Sequence, residues 1–137
     1  MNVHPYLNYG GNCEEAFRFY EKHLGARIDV MMRFSDVPNS QISDPDFKDK
    51  ILYSHLTIGS TELSGNDVEP QRFLPMRSAY VCLGVDSNED AERIYALFTE
   101  GGEIFMPMAE SFFAHRFAML RDRFGTSWMI IHQKPMQ

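Results

Sequence analysis

The strongest constraint on the fold is a helix-forming segment that this sequence carries twice. In the first copy, Asn12 can cap the amino end, Glu15 takes the third helical position of a capping box, and Gly25 supplies a left-handed stop. Between these ends, apolar residues recur at helical spacing at Cys13, Ala16, Phe17, Tyr20 and Leu24. The segment 12–25 is therefore predicted to be a helix with one face against a core.

The second copy lies in the other half of the chain. Ser87 can cap it, Asp90 follows three residues later, and Gly101 with Gly102 ends it. Its apolar stripe consists of Ala91, Ile94, Tyr95 and Phe98. The segment is therefore predicted to be a second helix of the same kind.

Eight strands are predicted around the helices, from period-two alternation and from short apolar runs bounded by turn residues. They are 3–9, 26–34, 51–58, 61–64, 79–85, 103–108, 117–121 and 127–132. The order β-α-β-β-β then occurs twice, and Gly25 matches Gly101 as Ile28 matches Ile104. The predicted fold is α+β, with two βαβββ modules related by pseudo-twofold symmetry and mixed, curved sheets around a shared cavity.

The chain length fits one domain, because 137 residues can bury enough surface for a single core. Module one is expected at about 1–68 and module two at about 78–134, with a polar linker at about 65–77. Residues 36–50 are rich in proline, serine and aspartate, which predicts a loop inserted into module one.

Composition excludes several classes of function. A formal net charge of -6 disfavours nucleic acid as a partner, and no apolar run approaches the ~20 residues that a membrane span needs. The first residues lack the basic and apolar regions of a secretory signal, so the expected location is cytoplasmic. Cys13 and Cys82 form neither a disulfide framework nor a CxxC pair.

Two stretches carry a resemblance to a known superfamily. Residues 6–25 end in Phe-Tyr-x-x-x-Leu-Gly, and this opening resembles the first strand and helix of the vicinal oxygen chelate group of glyoxalases, bleomycin-resistance proteins and extradiol dioxygenases. The closing segment 122–131 is similar to that group's final turn and strand. Its Phe-Gly-x-x-Trp form and the aromatic segment 110–115 resemble the PhnB-like branch. Some members of that branch are labelled demethylubiquinone methyltransferases, but no glycine-rich cofactor loop predicts that activity here.

The resemblance implies four positions at which metal-dependent members hold a divalent metal ion. Alignment by the helices and glycine turns places these positions at Pro5, Glu62, Tyr80 and Met129. Glu62 is the ordinary ligand among them, since proline has no donor side chain, methionine is a soft ligand and a tyrosine is costly to ionise. A one-residue slip would bring in His4 but would also turn that side chain to the other face of its strand. The usual metal site is expected to be absent, and an atypical divalent site could form only through Glu62.

Glu62 and His55 are the candidate catalytic residues. Glu62 lies beside the predicted cavity, where it could act as a general base or acid, or else it points to solvent on an edge strand. His55 could serve as a proton shuttle for that glutamate, or else it is a hydrogen-bonded structural histidine.

Other residues are candidates for binding a ligand. Glu110 and His115 flank Phe112 and Phe113 in a loop or hairpin that could close the cavity mouth, although these aromatics could also be dimer contacts or core. Six of the nine methionines fall on predicted strands, as does Tyr80, and they could line an apolar pocket or fill gaps in the core. The candidate substrate-binding residues are Tyr80, Glu110, Phe112, Phe113, His115 and Met129.

Two classes of function follow, both with a small-molecule ligand of unknown identity. The first is an enzyme of the superfamily type, without metal or with an atypical site that uses Glu62 and His55. The second is a non-catalytic module that sequesters a small molecule. The resemblance also implies a homodimer, since superfamily domains commonly pair through their sheets.

Overall fold

The computed structural model describes residues 1–37 and 44–135. The chain forms two compact units, Met1–Pro75 and Met76–Gln137. Residues 38–43, which belong to the predicted inserted loop, lie outside the described residues. None of the described helices is long and apolar enough to cross a membrane.

The first unit is a four-stranded mixed sheet covered by one helix. Its elements are β1 Tyr6–Tyr9, α1 Cys13–Leu24, β2 Arg27–Arg33, β3 Ile51–Ile58 and β4 Thr61–Asp67, with single 3-10 turns at Phe34–Asp36, Pro45–Phe47 and Pro70–Arg72. The strand order is β1-β4-β3-β2, in which β1 and β4 are parallel and the other pairs are antiparallel. The first β-α-β-β-β series is therefore confirmed.

The second unit repeats this topology. Its elements are β5 Val81–Gly84, α2 Asn88–Thr99, β6 Glu103–Ala109, β7 Ala114–Arg121 and β8 Ser127–Gln133. The order β5-β8-β7-β6, with β5 and β8 parallel, reproduces the first sheet strand for strand. The predicted α+β fold of two βαβββ modules is confirmed, and each helix packs its apolar stripe on one face of its own sheet.

Burial on the helix side shows which strand residues face each core. In the first unit, the Cys13 sulfur of α1 lies 3.3 Å from the Ser54 hydroxyl of β3, and Phe17 packs beside Gly65 of β4. In the second unit, Phe98 of α2 contacts Trp128 of β8 with ring centroids 5.0 Å apart. Because strand side chains alternate between faces, the neighbours of these residues along each strand face away from the helix.

The two helices are capped by different means. The Ser87 hydroxyl accepts the amide of Asp90, as predicted. The capping box predicted at Asn12 is wrong, because Asn12 makes no side-chain cap. The carboxylate of Asp67 instead accepts the amides of Gly11 and Cys13 at 3.1 and 2.9 Å. Sequence spacing cannot reveal this cap, since Asp67 lies 54 residues from Cys13 along the chain.

Asp67 also corrects the predicted linker. Strand β4 continues to Asp67 in parallel pairing with β1, so 65–67 are strand residues rather than the start of a polar connection. Their polarity reflects what they bond. The Ser54 hydroxyl donates to the Gly65 carbonyl, and the second carboxylate oxygen of Asp67 accepts the Ile51 amide.

A β-bulge occurs at the same place in both units. Ile28 pairs with Leu56 and Val30 with His55, so Asp29 is an extra residue in β2. Ile104 pairs with Leu120 and Met106 with Met119, so Phe105 is the equivalent extra residue in β6. A bulge bends its strand and redirects a side chain. The repeat of this device extends the match between Ile28 and Ile104 that the sequence indicated.

Candidate functional site

The sheet face opposite α1 carries a group of polar side chains from β3 and β4. Because Ser54 and Gly65 face the helix, the alternate residues His55 and Thr57 of β3 and Glu62 of β4 face the other way. Thr57 is paired with Glu62 in the antiparallel register. The two candidate catalytic residues therefore lie on one face of neighbouring strands.

Three side chains on this face lie in a row, with the His55 imidazole between the carboxylates of Asp29 and Glu62. The Nε2 atom of His55 lies 3.4 Å from Oε1 of Glu62, and its Nδ1 atom lies 2.9 Å from Oδ2 of Asp29. The His55 side chain is 17% exposed and that of Glu62 is 41% exposed. The imidazole is thus held between two carboxylates, of which Glu62 is open to an approaching molecule.

Asp29 fixes the state of the imidazole. The Thr57 hydroxyl and the Arg27 guanidinium donate to its two oxygens at 2.5 and 2.7 Å. Hydrogen bonds from Thr57, from Arg27 and from His55 lower the pKa of Asp29 to about 2, against a smaller opposing effect of burial. An ionised carboxylate only accepts hydrogen bonds, so Nδ1 of His55 must be the protonated nitrogen. Nε2 therefore presents a lone pair to Glu62 when the imidazole is neutral.

His4 joins the same face from the segment before β1. Its Nδ1 atom lies 3.8 Å from Oε2 of Glu62, and its Nε2 atom lies 3.1 Å from the Ser64 hydroxyl. The main chain of Pro5 instead pairs with β4, where its carbonyl accepts the Ser64 amide. The alignment that placed Pro5 beside Glu62 is therefore wrong by one residue, and the histidine is the side chain that reaches this glutamate.

A cavity of about 200 Å³ opens beside these residues. It is lined by Asn2, Val3, His4, Pro5, Ser60, Thr61 and Glu62. Its size suits a few heavy atoms of a small molecule or several waters. Glu62 and His4 supply acid–base groups in its wall.

The residues at the four metal positions do not fit a divalent metal ion. The strand pairings show which residues of the two units are equivalent. The pair Ile28–Leu56 matches the pair Ile104–Leu120. Leu56 pairs with Leu63 and Leu120 with Trp128, so Glu62 is equivalent to Ser127. Glu62 and Met129 are thus not equivalent positions of the repeat. The two positions predicted in the second unit carry a phenol, Tyr80, and a thioether, Met129, which are poor ligands for a hard cation. Across 1–37 and 44–135, no three His, Cys, Asp or Glu side chains are arranged to hold a metal ion.

Tyr80 and Met129 belong to the second unit. Met129 pairs with Cys82 and with Met119, on the face opposite α2, because its neighbour Trp128 is buried against the helix. The Tyr80 ring makes an edge contact with Phe105 at 6.3 Å between centroids. These two predicted ligand-binding residues share one unit and one side of its sheet.

The predicted segment 110–115 divides into separate environments. Phe112 is 92% exposed at the β6–β7 hairpin, and Phe113 packs edge-on against Phe117 at 5.1 Å. Glu110 pairs with Lys134 at 3.2 Å, a contact that lowers the pKa of the glutamate. His115 is a strand residue whose ring lies 4.8 Å from that of His132.

His115 therefore lies with residues of the helix side. His132 hydrogen-bonds Asn88 at the start of α2, and Arg116 pairs with Glu92 of the same helix. Glu110 and His115 have different nearest partners, so they do not form one acid–base pair in this structure.

Asp29 and Thr57 are the site residues that sequence reasoning missed, and it reached His4 only through a one-residue slip. No local pattern marks Asp29, because its direction depends on the bulge in β2. The sequence of β3 does indicate this face, because Tyr53, His55 and Thr57 alternate along the strand and so point to the same side of the sheet. Polar side chains on one face of a strand indicate a solvated or functional surface.

Comparisons with known proteins match this chain over nearly its whole length. A family profile described as 3-demethylubiquinone-9 3-methyltransferase matches residues 1–131. Protein YjdN of Escherichia coli strain K12 is 28% identical over 147 residues, covering 100% of each chain. The crystal structure of protein PA1353 from Pseudomonas aeruginosa is 37% identical with a TM-score of 0.88, and the match covers 98% of this chain and 99% of that one.

A more distant structure extends the likeness of fold. It is a putative 3-demethylubiquinone-9 3-methyltransferase, PhnB protein, from Bacillus cereus, 19% identical with a TM-score of 0.81. The match covers 96% of this chain and 99% of that chain. At this identity the similarity shows a common fold.

Proposed function

The chain belongs to the PhnB-like 3-demethylubiquinone-9 3-methyltransferase family of the vicinal oxygen chelate superfamily, and from that premise we propose that it acts on a small molecule by proton transfer. The observation that supports the proposal is the row Asp29–His55–Glu62. Asp29 contacts Nδ1 of the imidazole, and Glu62 lies beside Nε2. Glu62 exchanges the proton with the bound molecule, and His55 relays it.

Asp29 acts here as a positioning residue. Its ionised carboxylate holds the Nδ1 proton of His55 and leaves Nε2 directed at Glu62. When Glu62 has taken a proton, Nε2 can accept it, and the resulting imidazolium is stabilised by Asp29. This arrangement uses one carboxylate for exchange and the other for orientation, as in an acid–base triad.

Methyl transfer is not part of the proposed function, although the family description names it. The paired glycines of the first unit, Gly10 and Gly11, connect β1 to α1. Asp67 already binds the amides of Gly11 and Cys13. These donors are therefore engaged inside the fold rather than open to a nucleotide-like methyl donor.

Exchange of solvent deuterium tests the function directly. Small carbon acids with adjacent carbonyl oxygens are incubated with the protein in D₂O, and loss of their C–H signal is followed by proton NMR. We expect the wild type to accelerate exchange of at least one such compound, and Glu62→Gln to lower that rate by about 10²-fold or more. Glu15→Gln, an exposed carboxylate on α1, is the matched control and should leave the rate unchanged.

Two results would contradict proton transfer. One is a panel of carbon acids in which no compound exchanges faster with protein than with buffer. The other is equal acceleration by the wild type and by Glu62→Gln. Saturable binding of a compound without exchange would instead indicate a module that only holds its ligand.

Metal independence is part of the proposal. We expect protein purified without a tag or chelator to carry far less than one divalent ion per chain. A stoichiometric ion that is lost in Glu62→Ala would establish an atypical metal site through this residue.

A homodimer in the cytoplasm is proposed as the working state of the protein. The dimer follows from the superfamily resemblance, and the location fits two cysteines that are both free thiols. Sedimentation at micromolar concentration should give twice the 15.9 kDa chain mass. A monomer mass would contradict the dimer.

A further inference from the structure

The bulge that presents Asp29 in the first unit presents an aromatic ring in the second. Phe105 occupies the equivalent position in β6, and two guanidinium groups lie against its ring. The Cζ atoms of Arg77 and Arg121 are 5.7 and 5.4 Å from the ring centroid. The polar network of one sheet is thus replaced in the other by an aromatic ring with two cations.

The charges around Phe105 are not balanced. One guanidinium nitrogen of Arg121 donates to the Met76 carbonyl at 3.0 Å, and another lies 3.6 Å from Glu103, whose side chain is 64% exposed. Such an exposed pair is weak and is screened by salt. Arg77 makes no ion pair with any carboxylate among the described residues. Two cations therefore share one loosely held anion in a chain of net charge -6.

The segment that carries Arg77 is fixed in place. The carbonyl of the preceding residue, Met76, accepts a hydrogen bond from Arg121, and its sulfur accepts one from the Ser127 amide. The following residue, Ser78, has φ of 61°, and it is the only non-glycine residue in the left-handed region among those described. Such a backbone conformation is strained for a residue with a side chain, and it persists only where the surroundings determine it. Arg77 is therefore an exposed cation on a constrained backbone.

An apolar surface adjoins the two cations. Met119 and Met129 are paired across β7 and β8 and face away from α2, as Arg121 does two residues further along β7. Tyr80 closes the same side through its contact with Phe105. Thioethers and aromatic rings accept flat apolar groups without demanding one shape. The cations and this surface together match a molecule with an acidic head and an apolar body.

We propose that the face of the second unit around Phe105 is an anion-binding site for a small organic acid. The carboxylate or phosphate group of the ligand binds Arg77 and Arg121, and its apolar or aromatic body lies on Phe105, Met119 and Met129. Charge-assisted hydrogen bonds to guanidinium groups supply the specificity for an oxyanion. The proposed anion site uses residues of the second unit alone, whereas the proposed function uses residues of the first, so either proposal can fail without the other.

Benzoate and its neutral isostere benzamide test the site. Both are titrated into the full chain, and the backbone amides and the arginine Nε–H signals are followed by ¹H–¹⁵N NMR. Inorganic phosphate is titrated in parallel, to separate recognition of the oxyanion from recognition of the apolar body. We expect benzoate to saturate the shifts of Arg77, Tyr80 and Arg121, phosphate to shift the arginines alone, and benzamide to bind at least about tenfold more weakly.

Arginine variants make the assignment specific. Arg77→Gln removes an exposed cation, so the fold should persist while benzoate affinity falls by about tenfold or more. Arg121→Gln should have at least the same effect, and its folding is checked by the dispersion of the spectrum because Arg121 also holds Met76. Arg93→Gln, on the surface of α2, is the matched control. Equal benzoate affinity in wild type, Arg77→Gln and Arg93→Gln would overturn the proposal, as would shifts confined to other parts of the chain.

Discussion

Replacing Asp67 with alanine should destabilise the first unit strongly. The carboxylate accepts three backbone amides, those of Gly11, Cys13 and Ile51, and so joins the β1–α1 turn, the first turn of α1 and the start of β3. A buried N–H group left without a partner costs about 1–3 kcal/mol. Cys13 and Ile51 are fully enclosed, whereas the Gly11 amide is only partly buried. The amides of Cys13 and Ile51 therefore account for most of the expected loss in the free energy of unfolding.

The net effect is smaller than the gross sum, because burial raises the pKa of Asp67 and so already opposes its charged form. Alanine removes that desolvation cost together with the hydrogen bonds. We therefore expect a loss of roughly 3 kcal/mol in the free energy of unfolding, a large share of the total for a domain of this size. Asp67→Asn keeps one acceptor for Gly11 and Cys13 but turns an N–H group toward Ile51, so it should lose about half as much.

Urea unfolding followed by circular dichroism measures both variants. Glu15→Gln, an exposed carboxylate on α1, controls for loss of charge and should lie within about 0.5 kcal/mol of the wild type. An Asp67→Ala protein as stable as this control would refute the role assigned to Asp67. The helix would then not depend on a cap supplied by a distant strand.

Three further predictions concern other parts of the chain. Gly102→Ala should destabilise by about 1–3 kcal/mol in urea unfolding, because an added methyl group would overlap the carbonyl oxygen of Arg121, whereas a neutral outcome would disprove the close approach. Native protein should react with a thiol reagent at Cys82 but not at Cys13, since Cys13 is enclosed and burial raises its pKa to about 12; two fast thiols in folded protein would contradict this. Hydrogen bonds from Arg33 lower the pKa of Glu14 to about 2, so its contribution to stability is present above about pH 4 and is lost as pH falls toward 2. Glu14→Gln should therefore cost a few tenths to about 1 kcal/mol at neutral pH and nothing near pH 2, and a pH-independent difference would contradict the ion pair.

The repeat of helices and strands could be predicted because it depends on local spacing. Ser87 caps α2 three residues before Asp90, and strand β3 has the predicted bounds. The cap of α1 could not be predicted, because Asp67 lies 54 residues from Cys13 and its role arises only when β4 pairs beside β1. For the same reason, the polar residues at the end of β4 have the composition of a linker although they belong to the sheet.

In the candidate site too, residues marked by local sequence could be predicted, and residues placed by strand pairing could not. Glu62 and His55 could be identified from the sequence because their side chains can transfer protons. They lie together because β3 and β4 are paired and both side chains face the same side of the sheet. The part played by Asp29 depends on an extra residue in β2, which alternation does not encode. The exchange of Pro5 for His4 shows how a one-residue error in register turns a side chain to the other face of its strand.

The protonation state of His55 tests the central claim most directly. Long-range ¹H–¹⁵N correlation spectra of the imidazole distinguish its two nitrogens and report which one carries the proton. At a pH where the ring is neutral, the structure predicts a proton on Nδ1 and a lone pair on Nε2, with loss of this preference in Asp29→Asn. A neutral ring protonated on Nε2, or a tautomer that Asp29→Asn leaves unchanged, would contradict the proposed relay from Glu62.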